Sequence, residues 1–144
     1  QRTLESELRS QKPGIFIFID VDNFKSYNDR YGHNVGDLCL THFARSMEKS
    51  FPDDSILGRY GGDEFVVYLK NASSESAQQY MLYFQEQVAH MNLSSGETIE
   101  LSASAGGAAF PKQGEDFISL CRSADMALYD VKRNGKAAFK IKGH

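Results

Sequence analysis

An unbroken apolar run early in the chain, residues 15–19 (Ile-Phe-Ile-Phe-Ile), limits the fold more than any other feature. A strand with one solvated face alternates apolar and polar residues, whereas a continuous run of this kind needs cover on both faces. The run ends in Asp20-Val21-Asp22. Acidic groups at the mouth of a buried strand are costly unless they face solvent, a partner or a metal. The sequence therefore predicts a central strand with functional acids at its end.

The acids of this strand end have different interpretations. A helix is predicted to follow them directly, and Asp22 suits the N-cap position of that helix. Asp20 is then the better candidate for a metal ligand. The first amides of the helix, at Asn23, Phe24 and Lys25, are suited to hold phosphate, and Lys25 adds a positive charge. The alternative for Lys25 is an ordinary solvated lysine.

A second acidic strand end follows a pair of glycines. Strands are predicted on either side of Gly61 and Gly62, so the pair indicates a tight hairpin turn with positive φ. Asp63 and Glu64 come next, and consecutive strand residues point to opposite faces. One carboxylate is therefore presented at the turn and the other points away. Bare glycine backbone lets a polyanion approach, and a neighbouring carboxylate can hold the cation that neutralises it.

Apolar periodicity predicts the element order β-α-α-β-β-α-β-α-β. Strands are expected near residues 15–19, 55–59, 65–69, 98–105 and 137–141, with helices near 2–10, 23–28, 34–50, 75–91 and 117–131. The glycine pair at 106–107 is expected to weaken or bend its strand. The fold class is α+β, with a mainly antiparallel sheet of about five strands wrapped by helices in one domain over 1–144. The acid-bearing ends of the two most apolar strands are expected to lie side by side.

Composition excludes several function classes. The net charge of −3 argues against general affinity for nucleic acid, so phosphate binding needs local cations or a metal. No apolar run reaches membrane-spanning length. Cys39 and Cys121 fall on apolar helix faces and are interpreted as buried, reduced thiols of a cytosolic protein. Because the chain begins within a polar helical pattern and without Met, we expect it to be a fragment of a longer protein.

Two carboxylates at neighbouring strand ends, Asp20 and Asp63, with the Val21 carbonyl would form an oxygen-only site. Such ligands suit Mg²⁺ or Mn²⁺ rather than zinc. Lys132 and Lys136 end the last helix, either as phosphate ligands or as charges that complement the helix dipole. A metal, a glycine turn and lysines together point to a nucleoside triphosphate and to phosphoryl or nucleotidyl transfer.

Several segments, in the same order, resemble the GGDEF family of diguanylate cyclases. They are 19–25 (Ile-Asp-Val-Asp-Asn-Phe-Lys), 28–33 (Asn-Asp-Arg-Tyr-Gly-His), 36–37 (Gly-Asp), 59–65 (Arg-Tyr-Gly-Gly-Asp-Glu-Phe), 104–106 (Ser-Ala-Gly) and 124–132 (Ala-Asp-Met-Ala-Leu-Tyr-Asp-Val-Lys). The resemblance implies a ferredoxin-like palm fold similar to nucleotidyl cyclases. It also implies that two GTP molecules condense to cyclic di-GMP, a signalling nucleotide, with release of two pyrophosphates.

The resemblance assigns roles at the metal and the reacting groups. Asp20, the Val21 carbonyl and Asp63 would bind Mg²⁺ or Mn²⁺. Asp63 would also help to deprotonate the attacking 3′-hydroxyl, and Lys25 would stabilise charge on the phosphates. The role of Glu64 stays open between a structural one and one near the metal.

The resemblance also assigns the nucleotide contacts. Asn28 and Asp37 would hydrogen-bond the guanine edge, and His33 would help to form the nucleoside site. Lys132 and Lys136 would hold the triphosphate, next to the glycine turn and the helix start described above. Each domain would hold one GTP, so turnover would need a homodimer.

This sequence departs from the family at two places. The positions of an inhibitory Arg-x-x-Asp product site hold Pro52 and Ser55, so feedback through that site is not expected. The usual first segment of the domain is missing, with Arg2 as its remnant. Two alternatives to an active cyclase stay open, a non-catalytic GTP- or product-binding regulatory module and a structural dimerisation domain. The expected location is cytoplasmic, as a free protein or as part of a membrane protein.

Overall fold

The computed structural model describes residues 12–143, so the helix predicted for 2–10 and the remnant Arg2 lie outside the described residues. The described chain forms seven strands and four helices. They are β1 (Gly14–Val21), α1 (Phe24–Tyr31), α2 (His33–Ser50), β2 (Ile56–Arg59), β3 (Glu64–Lys70), α3 (Ser74–Val88), β4 (His90–Asn92), β5 (Thr98–Glu100), β6 (Ala103–Phe110), α4 (Phe117–Arg133) and β7 (Phe139–Ile141).

Five strands form the main sheet in the order β2-β3-β1-β6-β7. The pairs β2–β3, β3–β1 and β1–β6 are antiparallel, and β6–β7 is parallel. The predicted α+β fold with a mainly antiparallel sheet of about five strands is therefore confirmed. β1 is the central strand, as its unbroken apolar run predicts, and all eight of its residues are buried.

Successive β1 side chains enter two separate cores. Ile15, Ile17 and Ile19 pack on the face covered by α2 and α3, and Phe16 and Phe18 pack on the face covered by α4. Burying one such side chain stabilises the fold by roughly 1.5–3 kcal/mol. Since Asp20 follows the even-numbered residues of β1, it lies on the α4 face of the sheet.

The strand predicted for 98–105 is wrong as one element. Residues 98–100 form β5, which pairs with β4 in a separate hairpin, and β6 starts only at Ala103. A third cluster, with Met91, Ile99 and Leu101 at its centre, packs the hairpin against α1. The Tyr27 hydroxyl also donates to the Glu100 carbonyl oxygen at 2.6 Å. The hairpin therefore supports α1, none of whose residues is buried.

The glycine pair at 106–107 lies within a continuous strand, and the pair at 61–62 differs from its predicted role. Gly106 and Gly107 lie inside β6 without ending it, and a Cβ at Gly106 would collide with the α4 backbone at Ala124 and Leu128. Gly61 and Gly62 do not have the positive φ expected of a tight primed turn.

The loop between β2 and β3 is longer than that turn. The Tyr60 amide donates to the Glu64 carbonyl at 2.8 Å and the Gly61 amide to the same carbonyl at 3.4 Å. The three residues 61–63 therefore form the tip of the loop.

The predicted burial of the thiols is confirmed for Cys39, whereas Cys121 is only partly buried. Cys39 is fully buried and Cys121 half-buried, and both are free thiols. Among residues 12–143, no helix combines the length and the apolar character needed to cross a membrane.

Candidate active site

The two acidic strand ends meet at one edge of the sheet. In the register of β1 with β3, Asp20 lies opposite Glu64, and in the register with β6 it lies opposite Ser104. The Val21 amide donates to the Asp63 carbonyl oxygen at 3.2 Å, which extends the pairing into the glycine loop. The predicted meeting of the strand ends is confirmed.

Glu64 is the carboxylate directly beside Asp20. Residues opposite each other in an antiparallel pair place their side chains on the same face, and burial and then the charge of Asp20 raise the pKa of Glu64. Asp63 lies one position earlier, at the end of the loop. The sequence left the role of Glu64 open because the register of the hairpin was not known.

The charge at this edge is only partly balanced. Lys132 of α4 forms an ion pair with Asp20, whose side chain is 9% exposed. Burial raises the pKa of Asp20. The hydrogen bond and the charge of Lys132 lower this pKa, and the charge of Asp63 raises it further. Burial lowers the pKa of Lys132. The hydrogen bond and charge of Asp20 raise it, as do the charges of Glu64 and Asp63, and the net effect is a raised pKa. Asp20, Glu64 and Asp63 therefore all interact with the charge of Lys132.

Glu64→Gln is expected to raise the melting temperature at pH 7 in the absence of divalent cations. Burial, and then the charges of Asp20 and Asp63, raise the pKa of Glu64 above its ordinary value of 4.5. A raised carboxyl pKa favours folding below the ordinary value, and this contribution is lost as the pH rises through the folded-state value. Calorimetry at pH 7 and pH 4 with EDTA tests this: the gain should shrink at pH 4, and a lower melting temperature at pH 7 would contradict it.

The residues fit a divalent cation bound by oxygen. Asp20 Oδ1 is buried and has no hydrogen-bond partner within 12–143, and the neighbouring acids Asp63 and Glu64 interact with Asp20. A divalent cation would remove both costs, and carboxylate and carbonyl oxygens suit Mg²⁺ or Mn²⁺. No group of three His, Cys, Asp or Glu side chains among the described residues is already arranged around a common metal position.

The N-cap interpretation of Asp22 is wrong. The N-cap residue of α1 is Asn23, in a left-handed conformation with φ of 57° and without a side-chain capping bond. The Asp22 carboxylate instead accepts hydrogen bonds from the Ser102 and Ser104 hydroxyls and the Ala137 amide. These tertiary partners lie far along the chain, so a local sequence pattern could not indicate them.

Lys132 of α4, Lys136 of the turn after α4 and the start of α1 approach the same edge. Lys132 contacts Asp20, and the Lys136 ammonium donates to Asn23 Oδ1 at 2.9 Å. Lys25 is exposed in the first turn of α1, after the half-buried Phe24. The contacts of Lys132 and Lys136 with the strand end go beyond what a role in complementing the helix dipole requires.

The candidate nucleoside residues lie on α1 and α2. Asn28 Nδ2 and His33 Nδ1 are 3.2 Å apart, and Gly36 leaves room for the Asn28 amide because a Cβ there would overlap it. Asp37 is exposed and lines a groove of about 480 Å³ between α2 and β2. Other lining residues are Leu40, Thr41, Ala44, Leu57 and Arg59. The groove opens on the α2 face, whereas Asp20 lies on the α4 face, so the candidate site extends around the end of the sheet.

Arg59 is a residue that the sequence reasoning did not single out. Its guanidinium donates to the Gly62 carbonyl at 2.6 Å and to the Gly61 carbonyl at 3.2 Å. Arg59 therefore fixes the glycine loop from the end of β2. An arginine two residues before a glycine pair was the available signal.

Comparisons with known proteins agree on one family. The family model described as "Diguanylate cyclase, GGDEF domain" matches residues 1–138. A diguanylate cyclase from Vibrio cholerae is 35% identical over 129 residues, which cover 89% of this chain and 40% of that protein. The chain spans 34% of DgcC from Escherichia coli K12, another curated relative that it matches.

Solved structures give the same result. The GGDEF domain of YfiN (TpbB) from Pseudomonas aeruginosa has a TM-score of 0.91 and 31% identity, covering 98% of this chain and 91% of that one. The GGDEF domain of DgcB from Caulobacter crescentus, crystallised in complex with c-di-GMP, has a TM-score of 0.86 and 25% identity, covering 94% of this chain and 81% of that one.

Proposed function

Because the chain belongs to the GGDEF family of diguanylate cyclases, we propose that it condenses two GTP molecules into cyclic di-GMP and releases two pyrophosphates. The observation that supports this most is the pairing of Asp20 with Glu64 beside Asp63 and Lys132 at one edge of the sheet. Such an edge can hold a cation-bound triphosphate, which a purely structural domain does not need.

The nucleotide would lie across the end of the sheet. Asn28 and Asp37 would bind the guanine edge, with the amide of Asn28 held by His33. Lys132 and Lys136 would hold the triphosphate oxygens, and Lys25 would face the phosphates from the start of α1. Gly61 and Gly62 leave the loop open to the phosphates, since a Cβ at Gly62 would meet nothing within 4 Å.

The reaction joins the 3′-oxygen of one GTP to the α-phosphorus of the other and breaks the bond from that phosphorus to pyrophosphate. Two such steps give two phosphodiester bonds and two pyrophosphates. Asp63 would take the proton of the attacking hydroxyl, and Lys25, Lys132 and Lys136 would stabilise the charge on the phosphates. Asp20, the Val21 carbonyl and Asp63, with Glu64 as a further candidate, would hold Mg²⁺ or Mn²⁺, which neutralises phosphate charge when bound.

Two copies of the domain must face each other, because each holds one GTP and each supplies one hydroxyl to the other's α-phosphate. Proximity then controls the rate. The partners are therefore GTP and a second copy of the domain, and a cytoplasmic location, where GTP is present, is proposed with them.

Asp37→Asn is expected to weaken GTP binding by roughly 10- to 100-fold, because a carboxylate that accepts from guanine N–H groups would become an amide with a donor in its place. ATP binding should change little, so the preference for GTP over ATP should fall. Isothermal titration with non-hydrolysable analogues of both nucleotides measures this. An equal loss for both would show that Asp37 does not read the base.

Product identification tests the proposed function. The protein, alone and fused to a strong coiled-coil dimer, is incubated with GTP and Mg²⁺, and the products are identified by mass spectrometry. We expect cyclic di-GMP and two pyrophosphates per cyclic product, with the dimeric form more active. GTP binding without a cyclic product in the forced dimer would favour the regulatory module, and absence of binding would favour a structural domain.

A further inference from the structure

Asp22 is a buried acid for which the proposed reaction has no use. It is 4% exposed and follows the last residue of β1. Its Oδ1 accepts from the Ser104 hydroxyl at 2.5 Å, and its Oδ2 accepts from the Ser102 hydroxyl at 2.7 Å and from the Ala137 amide at 3.1 Å. A buried carboxylate is costly unless it is hydrogen-bonded, and here donors from two distant segments meet both oxygens.

One of these segments is an unusual turn after α4. Gly135, Lys136 and Ala137 all have positive φ, at 105°, 65° and 52°. Residues other than glycine seldom adopt this conformation and keep it only where their surroundings hold it. The Lys136 amide donates to the Val131 carbonyl at 3.0 Å, and the Ala137 amide is shared between Asp22 Oδ2 and, at 3.2 Å, Ser104 Oγ.

The turn sets the position of the Lys136 side chain. Its ammonium reaches Asn23 Oδ1, at the first turn of α1 and next to Asp22 in the sequence. Lys136 is exposed, so without a fixed backbone its long side chain would sample many positions. Asp22 therefore fixes the backbone from which a candidate phosphate ligand extends.

We propose that Asp22 is a positioning residue for the triphosphate, acting through the turn at 135–137 to hold Lys136 at the strand end. The proposal rests on the proposed function, because Lys136 needs a triphosphate to bind. Asp22 itself touches no substrate: its oxygens face Ser102, Ser104 and Ala137. The alternative is a purely structural role, in which Asp22 stabilises the fold and has no specific link to Lys136.

The variants separate geometry from charge. Asp22→Asn can keep an acceptor toward Ser102 and Ala137 while its amide donates to the Ser104 oxygen, so it should preserve the turn. Asp22→Ala removes the acceptor. Ser102→Ala is the matched control, because it removes one bond to Asp22 without touching the Ala137 amide. Asp22→Ser, which is polar and too short to reach, serves if the alanine variant does not fold.

The first measurement needs no ligand. Amide hydrogen exchange at Ala137 should be slow in the wild type, Asp22→Asn and Ser102→Ala, and at least about tenfold faster in Asp22→Ala or Asp22→Ser. Unchanged exchange in the last two would overturn the claim that Asp22 holds the turn, and fast exchange in Asp22→Asn would overturn the claim that acceptor geometry does so.

The second measurement is a double-mutant cycle with Lys136→Ala. Asp22→Ala and Lys136→Ala should each weaken binding of a non-hydrolysable GTP analogue about tenfold. The double variant should bind the analogue no more weakly than either single variant does. Guanosine binding should stay the same in all variants. Additive losses, or equal losses for guanosine, would overturn the link to Lys136. If the wild type bound no analogue, the proposed function would fail, while exchange at Ala137 would still decide whether Asp22 holds the turn.

Discussion

Replacing Asp20 with asparagine is expected to lower cyclic di-GMP formation by at least about 1,000-fold while the domain stays folded. Asn keeps the size of the side chain but removes the negative charge that would bind a divalent cation and that forms the ion pair with Lys132. The pKa of Asp20 is raised chiefly by burial, so replacing it with a neutral side chain removes the desolvation cost of a buried charge. The Lys132 side chain is 44% exposed and can turn to water when its partner is lost.

Product formation in the forced dimer and thermal unfolding are measured together for this variant. Asp53→Asn is the matched control, since it makes the same chemical change at an exposed loop position. Activity of Asp20→Asn within about tenfold of the wild type would refute its role at the reacting groups. Loss of both activity and folding would assign Asp20 to the structure instead.

Gly106→Ala is expected to destabilise the fold by about 3 kcal/mol and to lower the melting temperature by roughly 10 °C. The new Cβ would meet the backbone of Ala124 and Leu128 in α4, which cannot rotate away as a side chain does. Either α4 must move off the sheet or β6 must bend. Because α4 carries Lys132, the same change should also weaken binding of a GTP analogue.

Gly107→Ala is the matched control at the next position. A Cβ there would lie 3.0 Å from the Phe139 ring, and that ring is only half-buried and can shift. Calorimetry should show a much smaller loss for Gly107→Ala than for Gly106→Ala. Equal melting temperatures of Gly106→Ala and the wild type would mean that α4 does not pack on β6 as closely as described.

The central strand and its acidic end could be predicted because they depend on local composition. A run of five apolar residues at 15–19 has few solutions other than a doubly covered strand, and acids after it must face something polar. The second apolar strand with its own acids then made a shared edge the simplest arrangement. The pairing of Asp20 with Glu64 agrees with that argument.

The features that escaped prediction depend on distant parts of the chain. The sequence around Asp22 suited an N-cap of the helix that follows it. Its carboxylate instead accepts hydrogen bonds from Ser104 in β6 and from Ser102 just before β6. The glycines at 106–107 suggested a weakened or bent strand, whereas the close approach of α4 explains Gly106. The sequence pattern paired Asp20 with Asp63, whereas the residue opposite Asp20 is Glu64, because one residue of register exchanges the two faces.

Binding of Mn²⁺ together with a non-hydrolysable GTP analogue is the most direct test of the claim that the acids of β1 and β3 form one cation and nucleotide site. Electron paramagnetic resonance would follow free Mn²⁺ during titration of the wild type, Asp20→Asn and Asp53→Asn. We predict Mn²⁺ binding that depends on the analogue in the wild type and in Asp53→Asn, and at least about tenfold weaker binding in Asp20→Asn. Equal Mn²⁺ affinity in all three proteins would contradict the claim.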